Sequence, residues 1–288
     1  MEFPLLNPEN EAATAELEAL AQELNEGLAP LESYPTEGAL LRGRGDDFFH
    51  RQAEKLIAAS TQHHRLLPGD AFQDRDRISF DTGEVLVYPD GDRVAKVTKY
   101  KYDKGTQQQI DYFGLAAFCD HADTVHPFAT VVHASPGQYL ARLALSNRVF
   151  GDDNRFEGVL VDRHGHPHIA TSQHYFNSKD SWTLSREEAD RFMEERGFLH
   201  PPGSWGWHQY LPQEGIVAVD FKAANFMRRE NGQPFPIDLI LSRVDPQKFK
   251  DWGWEKKAPE PPRLADMFAG ITLPTHKMAF PEKAGHER

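Results

Sequence analysis

The stretch Val217–Leu241, VAVDFKAANFMRRENGQPFPIDLIL, decides how the rest of the chain is read. Its strand-forming run stops at Asp220, and the next apolar run is entered at a second aspartate, Asp238. A buried or half-buried carboxylate is costly unless its charge is compensated. Two of them, with Asn225 between, ask for a shared partner, and a metal ion carrying phosphate is the candidate. Asn225 lies five residues after Asp220 and opens the run FMRR; Asp238 lies thirteen residues further on, across a turn at Asn231-Gly232. A hairpin of that length folds its arms side by side, so Asn225 and Asp238 are expected at the same end. Carboxylate and amide oxygens are the ligands that hard cations such as Mg²⁺ take. Asp220, one short loop away, is placed to accept a proton from a hydroxyl nucleophile.

The whole chain bounds the answer. Its 288 residues suffice for one large domain or two lobes with real cores. With 39% hydrophobic and 26% charged residues it reads as globular and soluble. A net charge of −12 argues against general nucleic-acid binding, which needs clustered Lys and Arg. Cys119 is the only cysteine, so no internal disulfide and no cysteine zinc site is expected, and a cytoplasmic setting is the default. The acidic start MEFPLLNPENEAATAELEAL lacks a long apolar core, so neither a signal peptide nor a membrane span is expected.

Outward from the opening stretch, periodicity changes along the chain. Pro8 to Leu28 alternates Leu and Ala with Glu at helical spacing, and Pro30 and Pro35 end it. A second helix is expected in DDFFHRQAEKLIAASTQHHRLL, closed by Pro68-Gly69. Residues 1–70 therefore read as a helical N-terminal extension without a catalytic group. EVLVYPDGDRVAKVTKY reads as a hairpin around Pro89-Asp90-Gly91. QQIDYFGLAAFCDHA reads as a helix, and GQYLARLALSNRVFG as a better one, with Gly151 beyond its end. RFEGVLVDRHGHPHIATSQHYF is a second hairpin turning at His164-Gly165. In LSREEADRFMEERGF, Ser185 and Glu188 form a capping box and Gly197 is the stop. The tail from Asp245 is expected to be loop. The order gives an α+β fold with two lobes: residues 71–176 strand-rich with one long helix, residues 177–288 a small C-lobe.

DFKAAN followed by a hairpin and an Asp resembles the catalytic and metal loops of protein kinases, H-R-D-x-x-x-x-N and then D-F-G. RVAKVTK resembles the V-A-I-K strand, with Lys96 the matching lysine. More narrowly, TGEVLVY, YLARLALSNRVFGDDNRFEGVLVD, IATSQHYF, RGF and the opening stretch, in this order, look like the kinase-like domain of phage and mobile-element polyvalent proteins. The resemblance covers roughly Gly83 to Arg243. It implies a minimal bilobal protein-kinase-like fold with a truncated C-lobe, since about fifty residues follow Asp238. It implies ATP and Mg²⁺ as cofactors and transfer of the γ-phosphoryl group to a hydroxyl of an unidentified protein or small molecule. Asp220 and Lys222 become catalytic, Lys96 the ligand of the α- and β-phosphates, and Asn225 and Asp238 the metal ligands. Gln173 and Tyr175, at the end of SQHYF, fall where the backbone would meet an adenine edge.

The sequence also departs from the kinase pattern. Val219 replaces the Arg of H-R-D, Leu239-Ile240 follow Asp238 in place of Phe-Gly, and only Gly83 stands where a Gly-rich loop is expected. No Glu is evident to pair with Lys96; Gln138, Asn147 and the remote Asp111 are what the sequence offers. The alternative is therefore a nucleotide-binding pseudokinase acting as a regulatory or interaction module, and a third reading is a structural protein that keeps the fold without nucleotide. Other polar clusters have plainer explanations. HGHPH puts His164, His166 and His168 on one strand face, read as a solvated hairpin over a metal site. Asp152 and Asp153 read as a helix-ending turn, and Trp205, Trp207, Trp252 and Trp254 as packing.

Overall fold

Helix α1 (Pro8–Asn25) begins where Asn7 accepts the N–H of Asn10 at 2.8 Å and Pro8 fills a first-turn position that needs no donor. Its buried face, Ala13, Leu17, Leu20, Ala21 and Leu24, recurs at three- and four-residue spacing. Helix α2 (Asp46–Gln62) adds Ala53, Leu56 and Ala59. Helix α3 (Pro136–Phe150) is the best-specified element. Ser135 and Gln138 close a capping box at its start, and Gly151, at φ 66°, ends it in the left-handed conformation. The three helices meet the inner face of a sheet, Phe156, Val159 and Ile169, in one hydrophobic cluster. On the outer side Arg148 of α3 clamps Glu11 and Glu18 of α1 at 2.7 and 2.9 Å. The computed structural model describes residues 6–28, 46–76, 84–99, 101–102, 109–110, 113–120, 128–175, 184–200, 208–228, 232–245 and 247.

The sheet behind α3 combines β1 (Leu66–Leu67), β2 (Val85–Asp90), β3 (Arg93–Thr98), β8 (Arg155–Val161) and β9 (Pro167–His174) in the order β1-β8-β9-β3-β2. Both expected hairpins form, β2–β3 and β8–β9, and the second turns at Gly165 with Asp162 accepting the N–H groups of His164 and His166. The parallel partner β1 comes from within the first seventy residues. It approaches β8 so closely that a Cβ on Gly158 would lie 2.3 Å from the Arg65 carbonyl. Two short pairs follow β3: β4 (Lys101–Tyr102) with β5 (Gln109–Ile110), and β6 (Leu115–Asp120) with β7 (Phe128–His133). The helix expected over QQIDYFGLAAFCDHA is therefore corrected to strand. A short apolar run does not distinguish helix from buried strand by itself. Here Gly114, at φ 101°, breaks the run, and the β-rich partner FATVVH satisfies its backbone.

Beyond β9 the chain forms α4 (Arg186–Glu194), capped by Ser185 and Glu188 as expected, and β10 (His208–Leu211), β11 (Ile216–Val219), β12 (Phe226–Arg228), β13 (Pro234–Pro236) and β14 (Ile240–Arg243). Strand β11 is the centre of the sheet β10-β11-β14 and is buried at all four residues. A second hydrophobic cluster joins α4 and these strands to Leu145, Val149 and Phe150 of α3. One face of β11 and β14 is covered by Ala117 of β6. The architecture is α+β, and no described helix is long and apolar enough to cross a membrane. Trp205, Trp207, Trp252, Trp254, Gly83, Asp111 and the Asn231 side of the terminal turn lie outside the described residues.

Since α1 supplies fully buried leucines to the cluster shared with α3, it is part of the core. Leu24→Ala is expected to destabilise the protein by about 2–5 kcal/mol. Urea unfolding checks this, and a change below about 0.5 kcal/mol, the scale of surface substitutions, would make α1 peripheral.

Candidate functional site

The loop DFKAAN is held by its aromatic ends. Phe221 and Phe226 are fully buried and pack edge-to-face, with ring centroids 5.2 Å apart. Arg186 of α4 lies over the Phe221 ring at 4.3 Å. With both ends anchored, the intervening residues form a single 3₁₀ turn, Ala223–Asn225, and the polar side chains are left at the surface side. Asp220 enters the loop at φ 58°, a left-handed conformation that non-glycine residues adopt at a cost and that clusters at functional sites. Its carboxylate pairs with Lys222.

Register then brings the second aspartate close. Val219 of β11 pairs with Ile240 of β14, so Asp220 and Asp238 leave the same end of the sheet. In the hairpin β12–β13, Phe226 pairs with Pro236, and the N–H of Ile237 donates to the Asn225 carbonyl at 2.9 Å. The Asn225 amide spans the gap. Its Nδ2 donates to the Asp220 carbonyl at 2.8 Å, to the Asp220 carboxylate at 3.1 Å and to the Asp238 carbonyl at 3.4 Å. The amide is thereby oriented, and its Oδ1 accepts no hydrogen bond from the described residues. The Asn225 amide thus joins Asp220 to the Asp238 main chain.

Asp238 also lines a narrow cleft between the two hydrophobic clusters. Lys96 of β3 lines the same cleft, together with Glu84, Arg142 and Ser146 of α3, and Asp152. Arg142 is 5% exposed and lies between two carboxylates. It pairs with Glu84 and, at 3.3 Å, with Asp238. It also donates to the Leu115 carbonyl at 3.0 Å and the Leu239 carbonyl at 3.4 Å. Burial works against its charge, but Glu84 and Asp238 more than restore it, so its pKa is raised and it stays a cation. The chain at Gly114 must pass close by: a Cβ there would lie 2.5 Å from Glu84 and 2.7 Å from the Tyr139 ring.

Asp152 lines the same cleft as Lys96 and feels its charge without forming an ion pair with it. It follows the Gly151 cap of α3, so the chain turns it inward. It is 3% exposed and accepts from Asp153 N at 2.8 Å, Asn154 at 2.7 Å, Ser146 at 3.1 Å and Gln173 at 3.1 Å. Burial, with the neighbouring Asp153 charge, pushes its pKa up, while the Asp153 N–H, the Lys96 charge and Gln173 pull the other way. The sequence placed Asp152 in a helix-ending turn, which is where it lies. What the turn concealed is that the carboxylate points into the cleft rather than into solvent. The only available signal was a pair of adjacent aspartates next to a glycine cap.

Gln173 and Tyr175 stand behind the residues that line the cleft. Gln173 is buried and its amide is spent on Asp152. Tyr175 packs on Val85, Val87 and Val94, and its N–H donates to the Asp92 carbonyl at 2.8 Å. Neither is among the described residues lining the cleft. His164, His166 and His168 serve the β8–β9 hairpin, where His168 Nδ1 lies 2.7 Å from the Thr98 carbonyl. Among the described residues no group of three or more His, Cys, Asp or Glu is arranged to hold a metal ion. Asp220, Asn225 and Asp238 carry two carboxylates and an amide, the hard oxygen donors that Mg²⁺ takes; the Asn225 side chain reaches Asp238 through its main-chain carbonyl, and the Asp238 carboxylate pairs with Arg142. No family model, curated protein or solved structure matches this chain.

The burial of Asp152 has a pH consequence. Its folded-state pKa lies above the unfolded value, so the stability it contributes is complete below the ordinary carboxylate range, near about 3.9, and is lost as pH rises through the raised value. In urea melts from about pH 4 upward, a range set by the ordinary carboxylate value, the stability of Asp152→Asn relative to the parent is expected to increase with pH. A difference independent of pH would show that Asp152 is ionised as easily in the fold as in the unfolded chain.

Proposed function

We propose that the chain is a small ATP- and Mg²⁺-dependent phosphotransferase of protein-kinase-like, two-lobed architecture, which moves the γ-phosphoryl group of ATP to a hydroxyl acceptor. The observation that carries the reading is the Asn225 amide joining Asp220 and Asp238 at one sheet end, beside a cleft that also holds Lys96. The antiparallel run β8-β9-β3-β2 backed by α3, followed by a loop and a metal-side hairpin, supports the same architecture.

Lys96 binds phosphate oxygens as a point charge, with Asp152 beside it to offset that charge when no phosphate is present. Asn225 Oδ1 and the Asp238 carboxylate hold Mg²⁺, which when bound neutralises the charge on the phosphate oxygens. Asp220 orients the acceptor hydroxyl and takes its proton, and its strained backbone and two partners fix its direction. Lys222 pairs with the Asp220 carboxylate and offers a second positive charge to the transferring group. Such a site works by positioning and electrostatics, without a covalent intermediate.

One observation favours a second reading, a nucleotide-binding module with weak or no transfer. Arg142 already neutralises Asp238, and a guanidinium in that place competes with a cation. The two readings agree on binding and differ on turnover. Asp238→Asn is expected to weaken the stabilisation of the protein by ATP·Mg²⁺ in thermal-shift measurements. Asp220→Asn is expected to leave that shift unchanged while transfer falls by roughly 10²–10⁴-fold, the range for a lost general base. No thermal shift with ATP·Mg²⁺ at all would sink both readings, and a shift without turnover above the Asp220→Asn blank would select the second.

A further inference from the structure

We propose that Arg142 is a built-in counter-cation that holds Asp238 and surrenders it to a divalent cation, so that this ion pair sets the cation concentration at which the site fills. The inference rests on the reading of Asp238 as a cation ligand, and adds a residue outside the DFKAAN loop and its hairpin that governs it.

The asymmetry around Arg142 carries the argument. Glu84 has a side chain only 10% exposed, and it also accepts the Leu115 N–H at 2.8 Å, so it is fixed. Asp238 has a side chain 41% exposed and gives Arg142 a single contact at 3.3 Å. Arg142 itself is buried and tied to the carbonyls of Leu115 and Leu239. When Asp238 turns away, the guanidinium keeps one carboxylate and its carbonyl partners, and no buried charge is stranded. The Asp238 main chain need not move either, because its carbonyl is held by Asn225 and the next strand is paired from Ile240. The exchange is a side-chain rotation between a buried cation on one side and the Asn225 amide on the other. A permanent partner for Arg142 and a removable one are what distinguish a competitor for the cation from a merely structural ion pair.

The test measures Mn²⁺ binding to the full chain, without nucleotide, by the electron paramagnetic resonance signal of the free ion. Arg142→Met with Glu84→Gln removes the buried pair together, and Arg142→Lys keeps a cation for Glu84 on a stem that does not bridge to Asp238. Both are expected to bind Mn²⁺ about tenfold more tightly than the parent, within the usual range of coupling between sites. Asp238→Asn in either background is expected to abolish the gain. If the double variant melts below the assay temperature, the lysine variant decides alone. Equal affinity in parent and variants, with Asp238→Asn still weakening binding, overturns the competition and leaves Asp238 a cation ligand. Absent binding, or binding indifferent to Asp238→Asn, overturns both.

Discussion

A guanidinium buried as deeply as that of Arg142 cannot stand without anionic and carbonyl partners, because an unpaired charge in the interior is strongly destabilising. Its partners come from the residue before β2, from the start of β6 and from the connection between β13 and β14. Four separately folded pieces of chain must therefore be in place together before that charge is satisfied. The cleft is a by-product of this requirement. Its lining joins the helix that bears Arg142 to two of the segments that answer it, at Glu84 and at Asp238–Leu239, with Lys96 and Asp152 completing it.

The loop between β11 and β12 obeys a different constraint. Two phenylalanines sink into the hydrophobic cluster beneath α4 and force the residues between them outward. The side-chain amide of Asn225 then locks the outward turn to the neighbouring hairpin. Polar placement here follows from apolar anchoring, and the strain at Asp220 is sustained by both.

Much of this was legible because it is local. The cap at Ser185 and the glycine stop at Gly151 announce helices through chemistry that operates over a few residues. The hairpins announce themselves through glycine turns, and the joining of Asn225 to Asp238 follows from counting along a hairpin. Other features depend on distant partners. Nothing near Leu115 states that it will pair with β7 rather than coil, and two residues at Leu66 carry no strand signal until β8 lies beside them. Gln173 looked available because its burial depends on Asp152, twenty-one residues away. Arg142 escaped notice for the same reason: a lone arginine in an alanine- and leucine-rich helix is unremarkable until Glu84 and Asp238 converge on it.

Helix α3 belongs to both hydrophobic clusters, through Leu140, Leu143 and Ala144 at one end of its sequence and Leu145, Val149 and Phe150 at the other. The two halves of the molecule consequently lack separate interiors. A chain severed between residues 175 and 184 would yield an N-terminal piece with half a helix's apolar surface bare and a C-terminal piece missing one wall of its own interior. Neither piece is self-sufficient, and each carries what the other lacks. Such a protein is suited to reconstitution from fragments, with the reunion of the pieces reported by the return of the shared interior.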